Sequence, residues 1–192
     1  MKNTIVIADD EPITRMDIGE ILCEAGYDVV GEACNGFDAV DLCRKYKPEL
    51  VLMDIKMPHL DGLKATKIIM DENLADAVVV LTAYSGSEFI EEAKAAGVTG
   101  YIVKPIDERN LLPEIEIAIS KGKELKIIKE DMVKLKEEMG KKKIVDRAKE
   151  LLMEKCKITE EAAYKRLRKL SMDKRCSIME MAETIIEQYK NY

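Results

Sequence analysis

The chain has 192 residues, enough for one domain of ordinary size with a smaller unit attached and too few for two large domains. At 47% hydrophobic and 35% charged it can bury a core in water, whereas 5% aromatics and no Trp exclude a broad base-stacking platform. The net charge of -6 conceals an asymmetry: residues 1–120 carry 11 Lys and Arg against 23 Asp and Glu, net -12, while residues 121–192 carry 20 against 14, net +6.

An acidic front and a basic back mark two units, the second suited to a polyanion. A basic face that only keeps the chain dissolved fits the charge equally well. The five cysteines (23, 34, 43, 156 and 176) are odd in number, scattered and without paired metal-ligand spacing, and His59 is the single histidine. They read as reduced thiols, with Cys34 expected to be buried at a strand end. Acidic residues appear by Asp9, so no signal peptide is expected, and no apolar run approaches the ~20 residues that span a bilayer. These features predict a cytoplasmic protein with no membrane contact.

Along residues 1–120, short apolar runs alternate with segments of helical period. Ile5 to Ala8 is a strand that ends in acids. Pro12 then opens a helix that Gly26 closes. Val29 to Ala33 predicts a second strand and Phe37 to Tyr46 a second helix. Leu50 to Met53 runs into Asp54, and Gly62 to Met70 follows as a helix. Ala77 to Leu81 ends at Thr82, and Glu88 to Ala96 is a helix closed by Gly97. Tyr101 to Val103 ends at Lys104-Pro105, with a helix from about Glu108. Five strand–helix units imply an α/β fold with a five-stranded parallel, doubly wound, flavodoxin-like sheet covered on both faces.

After Ser120 the strand signal stops. Leu125, Ile128, Met132, Leu135 and Met139 repeat at alternating spacings of three and four among Lys and Glu. That pattern predicts a coiled-coil linker helix over 121–143 that pairs two chains in parallel; a solvated single helix is the alternative. Three short helices are expected over 144–192: one with Ile144, Ala148, Leu151 and Leu152 on a face, one capped by Thr159, and one opened by the capping box Ser177–Glu180. Helices this short must bundle.

In a parallel sheet, ligands gather at the carboxyl ends of the strands. Those ends hold Asp9 and Asp10, Asp54, Thr82 and Lys104. Three carboxylates in one crevice repel, and a hard divalent cation such as Mg²⁺, which also accepts phosphate oxygens, relieves that repulsion. A carboxylate beside it can attack a phosphoryl group, with Lys104 supplying positive charge and Thr82 a hydroxyl for the phosphate oxygens. Any one of these residues has a plain structural reading; their presence at successive strand ends does not.

The order Asp9-Asp10, Asp54-Ile55-Lys56-Met57-Pro58, Asp61-Gly62, Thr82-Ala83-Tyr84 and Lys104-Pro105 resembles the receiver domain of two-component response regulators. The resemblance covers the domain at 1–120. It implies that Asp54 is the phosphoacceptor for a histidine kinase, with Lys104 and Thr82 assisting. It implies Mg²⁺ held by Asp9, Asp10, Asp54 and the Lys56 backbone carbonyl, and a switch involving Thr82, Tyr84 and Tyr101. Lys104-Pro105 is then expected to be cis. No turnover of foreign substrates is expected: a dehalogenase-type phosphatase places its nucleophile on the first strand, one residue from a second Asp, whereas Asp9 and Asp10 are adjacent.

Residues 144–192 resemble an ANTAR domain, a three-helix RNA-binding antiterminator module, through Ala148-Lys149, Leu152-Met153, Glu160-Glu161, Ala163-Tyr164, Leu167-Arg168 and Ser171-Met172. Glu150 stands where that family often has Gly. The resemblance implies binding to paired hairpins in nascent RNA, preventing termination, by a homodimer formed through the coil on activation. Candidate RNA contacts are Lys149, Tyr164, Lys165, Arg166, Arg168, Lys169, Lys174 and Arg175, with Lys149, Arg168 and Tyr164 foremost. A DNA-binding transcriptional regulator is the alternative, but Ser177-Ile178-Met179-Glu180 would set a glutamate against phosphates. Ethanolamine-utilisation regulators share this layout, and no residue here identifies a metabolite.

Overall fold

The computed structural model describes residues 2–83 and 87–190. Five strands, β1 (Thr4–Ala8), β2 (Asp28–Ala33), β3 (Leu50–Asp54), β4 (Ala77–Thr82) and β5 (Gly100–Val103), form one parallel sheet in the order β2-β1-β3-β4-β5. Between them run α1 (Pro12–Glu24), α2 (Gly36–Tyr46), α3 (Gly62–Asp71) and α4 (Ser87–Ala95). The chain continues through α5 (Glu108–Cys156), α6 (Glu160–Lys174) and α7 (Ile178–Lys190).

The central strands are apolar on both faces because helices cover both. Val6, Ala8, Val51, Met53, Val78 and Val80 pack beneath Ala39, Cys43, Ala65 and Ile69 of α2 and α3. Ile5, Ile7, Leu50, Leu52, Val79 and Leu81 face Ile18 and Leu22 of α1 and Leu111, Ile115 and Ala118 of α5. Helix starts follow local chemistry. Asn35 caps α2 by accepting from the Asp38 amide at 3.0 Å, and Asp61 caps α3 by accepting from Leu63 and Lys64. Gly26 and Gly97 close α1 and α4 at φ +87° and +82°.

The expected helix break near residue 144 is absent. α5 runs unbroken for 49 residues, so the 121–143 segment and the first of the three expected short helices are parts of it. No proline lies between 114 and 156, and neither Gly122 nor Gly140 takes a positive φ, so nothing stops the helix. The chain divides into two compact units, residues 1–128 and 129–192. The second has its own core: Ala148 and Leu152 of α5, Ala163 and Leu167 of α6, and Met181, Ala182 and Ile185 of α7. Thr159 caps α6. Ser177 and Glu180 form the expected capping box, the Ser177 amide donating to Glu180 at 2.7 Å and the Glu180 amide to Ser177 Oγ at 3.1 Å.

Cys34 is exposed rather than buried. The sheet ends at Ala33, and the chain turns outward so that Asn35 can cap α2, leaving the Cys34 thiol 3.8 Å from Asp38 Oδ2. Among the described residues, no helix is long and apolar enough to cross a membrane.

Candidate functional site

Asp9, Asp54 and Lys104 meet at the carboxyl end of the sheet. Asp9 follows β1, is fully buried, and is held on every side. Its amide donates to the Ala33 carbonyl at 3.1 Å, and its Oδ1 accepts from the Glu11 amide at 2.9 Å. Its carbonyl accepts from Arg15 Nη1 at 2.7 Å. Asp54 ends β3 and is 6% exposed. Lys104 follows β5, tied to β4 by its amide donating to the Thr82 carbonyl at 2.8 Å, and the Lys104–Pro105 peptide is cis. Its Nζ lies 2.8 Å from both Asp9 Oδ2 and Asp54 Oδ1. Thr82, at the end of β4, is buried beside them in sheet order.

Two glycines hold the loop that follows Asp54. A Cβ on Gly62 would stand 2.0 Å from the Asp54 carbonyl oxygen, and one on Gly36 would stand 2.4 Å from the Leu60 carbonyl oxygen. The Gly62 amide donates to the Ile55 carbonyl at 2.9 Å, so the loop folds back on the strand end. Only glycine allows that approach, which gives the Asp61-Gly62 pair its physical reason.

Burial pushes the Asp54 carboxyl above its usual value; the bond and charge of Lys104 pull it back only in part, and the Asp9 charge adds to the rise. The Lys56 backbone amide also bonds the charged form. Burial lowers the affinity of Lys104 for its proton, but bonds to Asp54 and Asp9 outweigh it, and the ammonium is held more firmly than usual. Two buried carboxylates thus share one cation. Asp10, next to Asp9 at the same strand end, is exposed, and among the described residues no three His, Cys, Asp or Glu side chains are grouped. Asp9 is the one turned into the sheet end, where Lys104 and the Glu11 amide satisfy it. The donor set still fits a hard cation, since one ammonium leaves the buried pair with net negative charge and every side-chain donor is a carboxylate oxygen.

Tyr101, on β5, is half exposed and opposite Val80 in register. Tyr84 lies outside the described residues. Arg15 carried no signal in the sequence, because its partner is a backbone carbonyl; its Nε also lies 3.4 Å from Glu32.

In the second unit the basic candidates divide. Lys149 is largely covered and bonds both Asp146 and Glu160 at 2.7 Å, so it ties α5 to α6. Those bonds raise its proton affinity strongly. Lys165 pairs with Glu161 at 2.7 Å on the surface, and Arg166 Nη1 lies 3.3 Å from Cys156 Sγ. Arg168, Lys169, Lys174 and Arg175 are exposed, Arg175 closing α6 at φ 54°. Tyr164 is 45% exposed, off the bundle core, and lines up with Arg168 and with Met172 (69% exposed) along one side of α6.

This geometry agrees with comparison to known proteins. Residues 5–116 match the response regulator receiver domain and residues 133–186 the ANTAR domain. The transcriptional regulatory protein PdtaR of Mycobacterium tuberculosis is 41% identical over 183 residues, covering 95% of this chain and 89% of that protein. The chemotaxis protein CheY of Thermotoga maritima is 39% identical over 105 residues, 55% of this chain and 88% of that protein. The crystal structure of a LuxR-family two-component response regulator from Aurantimonas superposes with a TM-score of 0.58 at 32% identity, covering 62% of this chain and 86% of that one. The chain is a two-component response regulator. Within that class it belongs to the ANTAR response regulators, which join a receiver to an ANTAR domain.

Proposed function

We propose that this cytoplasmic regulator is switched by phosphorylation of Asp54 and acts by binding nascent RNA. The observation that carries the reading is the buried pair Asp9–Asp54 around Lys104 at the end of a parallel sheet. An Asp54 oxygen displaces the imidazole of a phosphorylated histidine kinase from phosphorus. Lys104 then balances the added charge, and the Thr82 hydroxyl donates to a phosphoryl oxygen. Asp9, Asp10, Asp54 and the Lys56 carbonyl would hold Mg²⁺, which supplies neutralisation of the oxygens in flight. Turnover is confined to the receiver's own phosphorylation and dephosphorylation. Movement of Thr82 towards the phosphate, followed by Tyr101 and Tyr84, shifts a pre-existing equilibrium.

The output is a homodimer formed through α5, whose two ANTAR bundles hold two hairpins and keep a terminator from forming. The exposed side of α6 offers Tyr164 for stacking on a splayed loop base and Arg168 and Lys169 for phosphates. Lys149, already engaged twice, serves the bundle. Duplex-DNA reading is disfavoured because Glu180 caps the start of α7, where a recognition helix needs donors. The test is a titration of phosphorylated and unphosphorylated protein with a two-hairpin RNA and a matched DNA duplex at two salt concentrations. RNA preference that depends on phosphorylation is expected. DNA preference, or equal RNA binding by Asp54→Asn, would overturn the reading.

A further inference from the structure

The turn between β1 and α1 carries Asp9 and Asp10, and a single planar peptide unit joins them. Its oxygen is the Asp9 carbonyl, which accepts from Arg15 Nη1 at 2.7 Å. A planar peptide moves as one body that includes both Cα atoms, so holding its oxygen sets the directions in which the two carboxylates leave the chain. The Asp9 side chain has further anchors in the Glu11 amide and Lys104. Asp10 is exposed, and its direction follows from that plane.

The guanidinium is placed for the carbonyl rather than for its acidic neighbour. The Arg15 side chain is largely covered, and its Nε lies 3.4 Å from Glu32 Oε2 on β2. That Nε is buried and has no hydrogen-bond partner among the described residues. An arginine drawn there by Glu32 would turn its fork onto the carboxylate. Leaving a buried donor unpaired costs free energy, and the short bond to the Asp9 carbonyl offsets it. Glu32 contributes charge that keeps the guanidinium in place. It stands opposite Ile7 in register, so the brace runs from the edge strand β2 through Arg15 to the turn after β1.

We propose that Arg15 is a positioning residue for the Mg²⁺ site: by fixing the Asp9–Asp10 peptide it sets the two carboxylates for one divalent cation. This rests on the reading of the site above. Arg15 touches neither the ion nor the phosphoryl group; it acts through the peptide, as the outer partners of metal ligands do. The role has a signature that separates it from two others. A guanidinium beside the carboxylates repels an arriving cation, so by charge alone its removal would tighten Mg²⁺ binding. An arginine that only packs α1 on the sheet would, when removed, lower stability and leave the affinity of the folded chain unchanged. A positioning residue is the one whose loss weakens binding although a like charge has gone.

The experiment compares the full chain with Arg15→Met, Arg15→Lys and, as a control, Arg44→Met, which removes an arginine paired with Asp41 and Glu72 on the surface. Isothermal titration with Mg²⁺ reads the dissociation constant, and circular dichroism with urea unfolding checks the fold of each chain. Arg15→Met is expected to raise the constant about tenfold or more. Arg15→Lys keeps the charge and can reach the carbonyl as a point donor without the rigid fork, so its constant should fall between those two. Arg44→Met should match the unaltered chain. An unchanged or lower constant in Arg15→Met, or an equal rise in Arg44→Met, would overturn the proposal while leaving the Mg²⁺ site standing. Should Arg15→Met fail to fold, Arg15→Lys decides alone: a constant equal to that of the unaltered chain refutes the brace. An unaltered chain that takes up no Mg²⁺ would overturn the reading of the site as well.

Discussion

Replacing Lys104 with Met keeps most of the side-chain volume and removes the one cation between Asp9 and Asp54. An ammonium 2.8 Å from each carboxylate holds their oxygens within twice that distance of one another. At that separation two unit charges repel by about 3 kcal/mol at an effective dielectric of about 20. Both carboxylates are buried, so the loss falls in the range of a broken buried pair rather than a surface one. Lys104→Met is therefore expected to destabilise the receiver unit by about 3 kcal/mol at pH 7 in urea unfolding with a chelator present. The pH dependence has a definite sign. Burial and Asp9 raise the folded Asp54 pKa above its ordinary 3.8. A carboxyl with a raised folded pKa favours folding below its unfolded value and loses that contribution as pH rises through the folded value. The deficit of Lys104→Met should thus be small near pH 4 and complete at neutrality. Adding Asp54→Asn should recover most of it, a coupling that a double-mutant cycle measures. A loss below about 1 kcal/mol, or an equal loss in the Asp54→Asn background, would refute the shared-cation account.

Gly62→Ala, which drives a Cβ into the Asp54 carbonyl, is expected to cost about 3 kcal/mol and to slow autophosphorylation by a small phosphodonor, read by urea unfolding and mass spectrometry. Leu167→Ala removes a fully buried side chain from the second core and should cost about 3 kcal/mol in the ANTAR bundle while leaving the receiver transition unmoved in a thermal melt followed by circular dichroism. Cys23 and Cys34 should react with a thiol reagent at pH 8, whereas Cys43, whose thiol burial pushes up to about 12, should react only on unfolding; labelling followed by peptide mapping distinguishes them.

The sheet was legible because both of its faces are covered, which writes each inner strand as an uninterrupted apolar run, and because turn residues such as Gly26 and Gly97 mark where helices stop. The strand ends then place Asp9, Asp54, Thr82 and Lys104 at one edge without further information. The unbroken α5 was less legible: hydrophobic periodicity changes face near residue 142, which resembles a boundary between elements, although one helix can present two faces in succession. Cys34 was misplaced because the strand pattern does not say where the chain turns away to reach its cap at Asn35. Lys149 illustrates a different limit. A lysine that ties two helices together and one that waits for phosphate have the same sequence signature, and only the positions of Asp146 and Glu160 separate them.

The continuity of α5 makes length a carrier of information independent of residue identity. Each residue added to a helix rotates everything after it by about 100°. Between Met139 and Ala148 lie residues such as Gly140, around which a side chain would meet open space, and Lys141, which is exposed. Their identities can drift with little cost, but their number cannot: one deletion would turn the Ala148–Leu152 face away from its place opposite Met139, while seven inserted residues would nearly restore it. Related chains should therefore vary freely in letters across this stretch and differ in length, where they differ at all, by whole heptads.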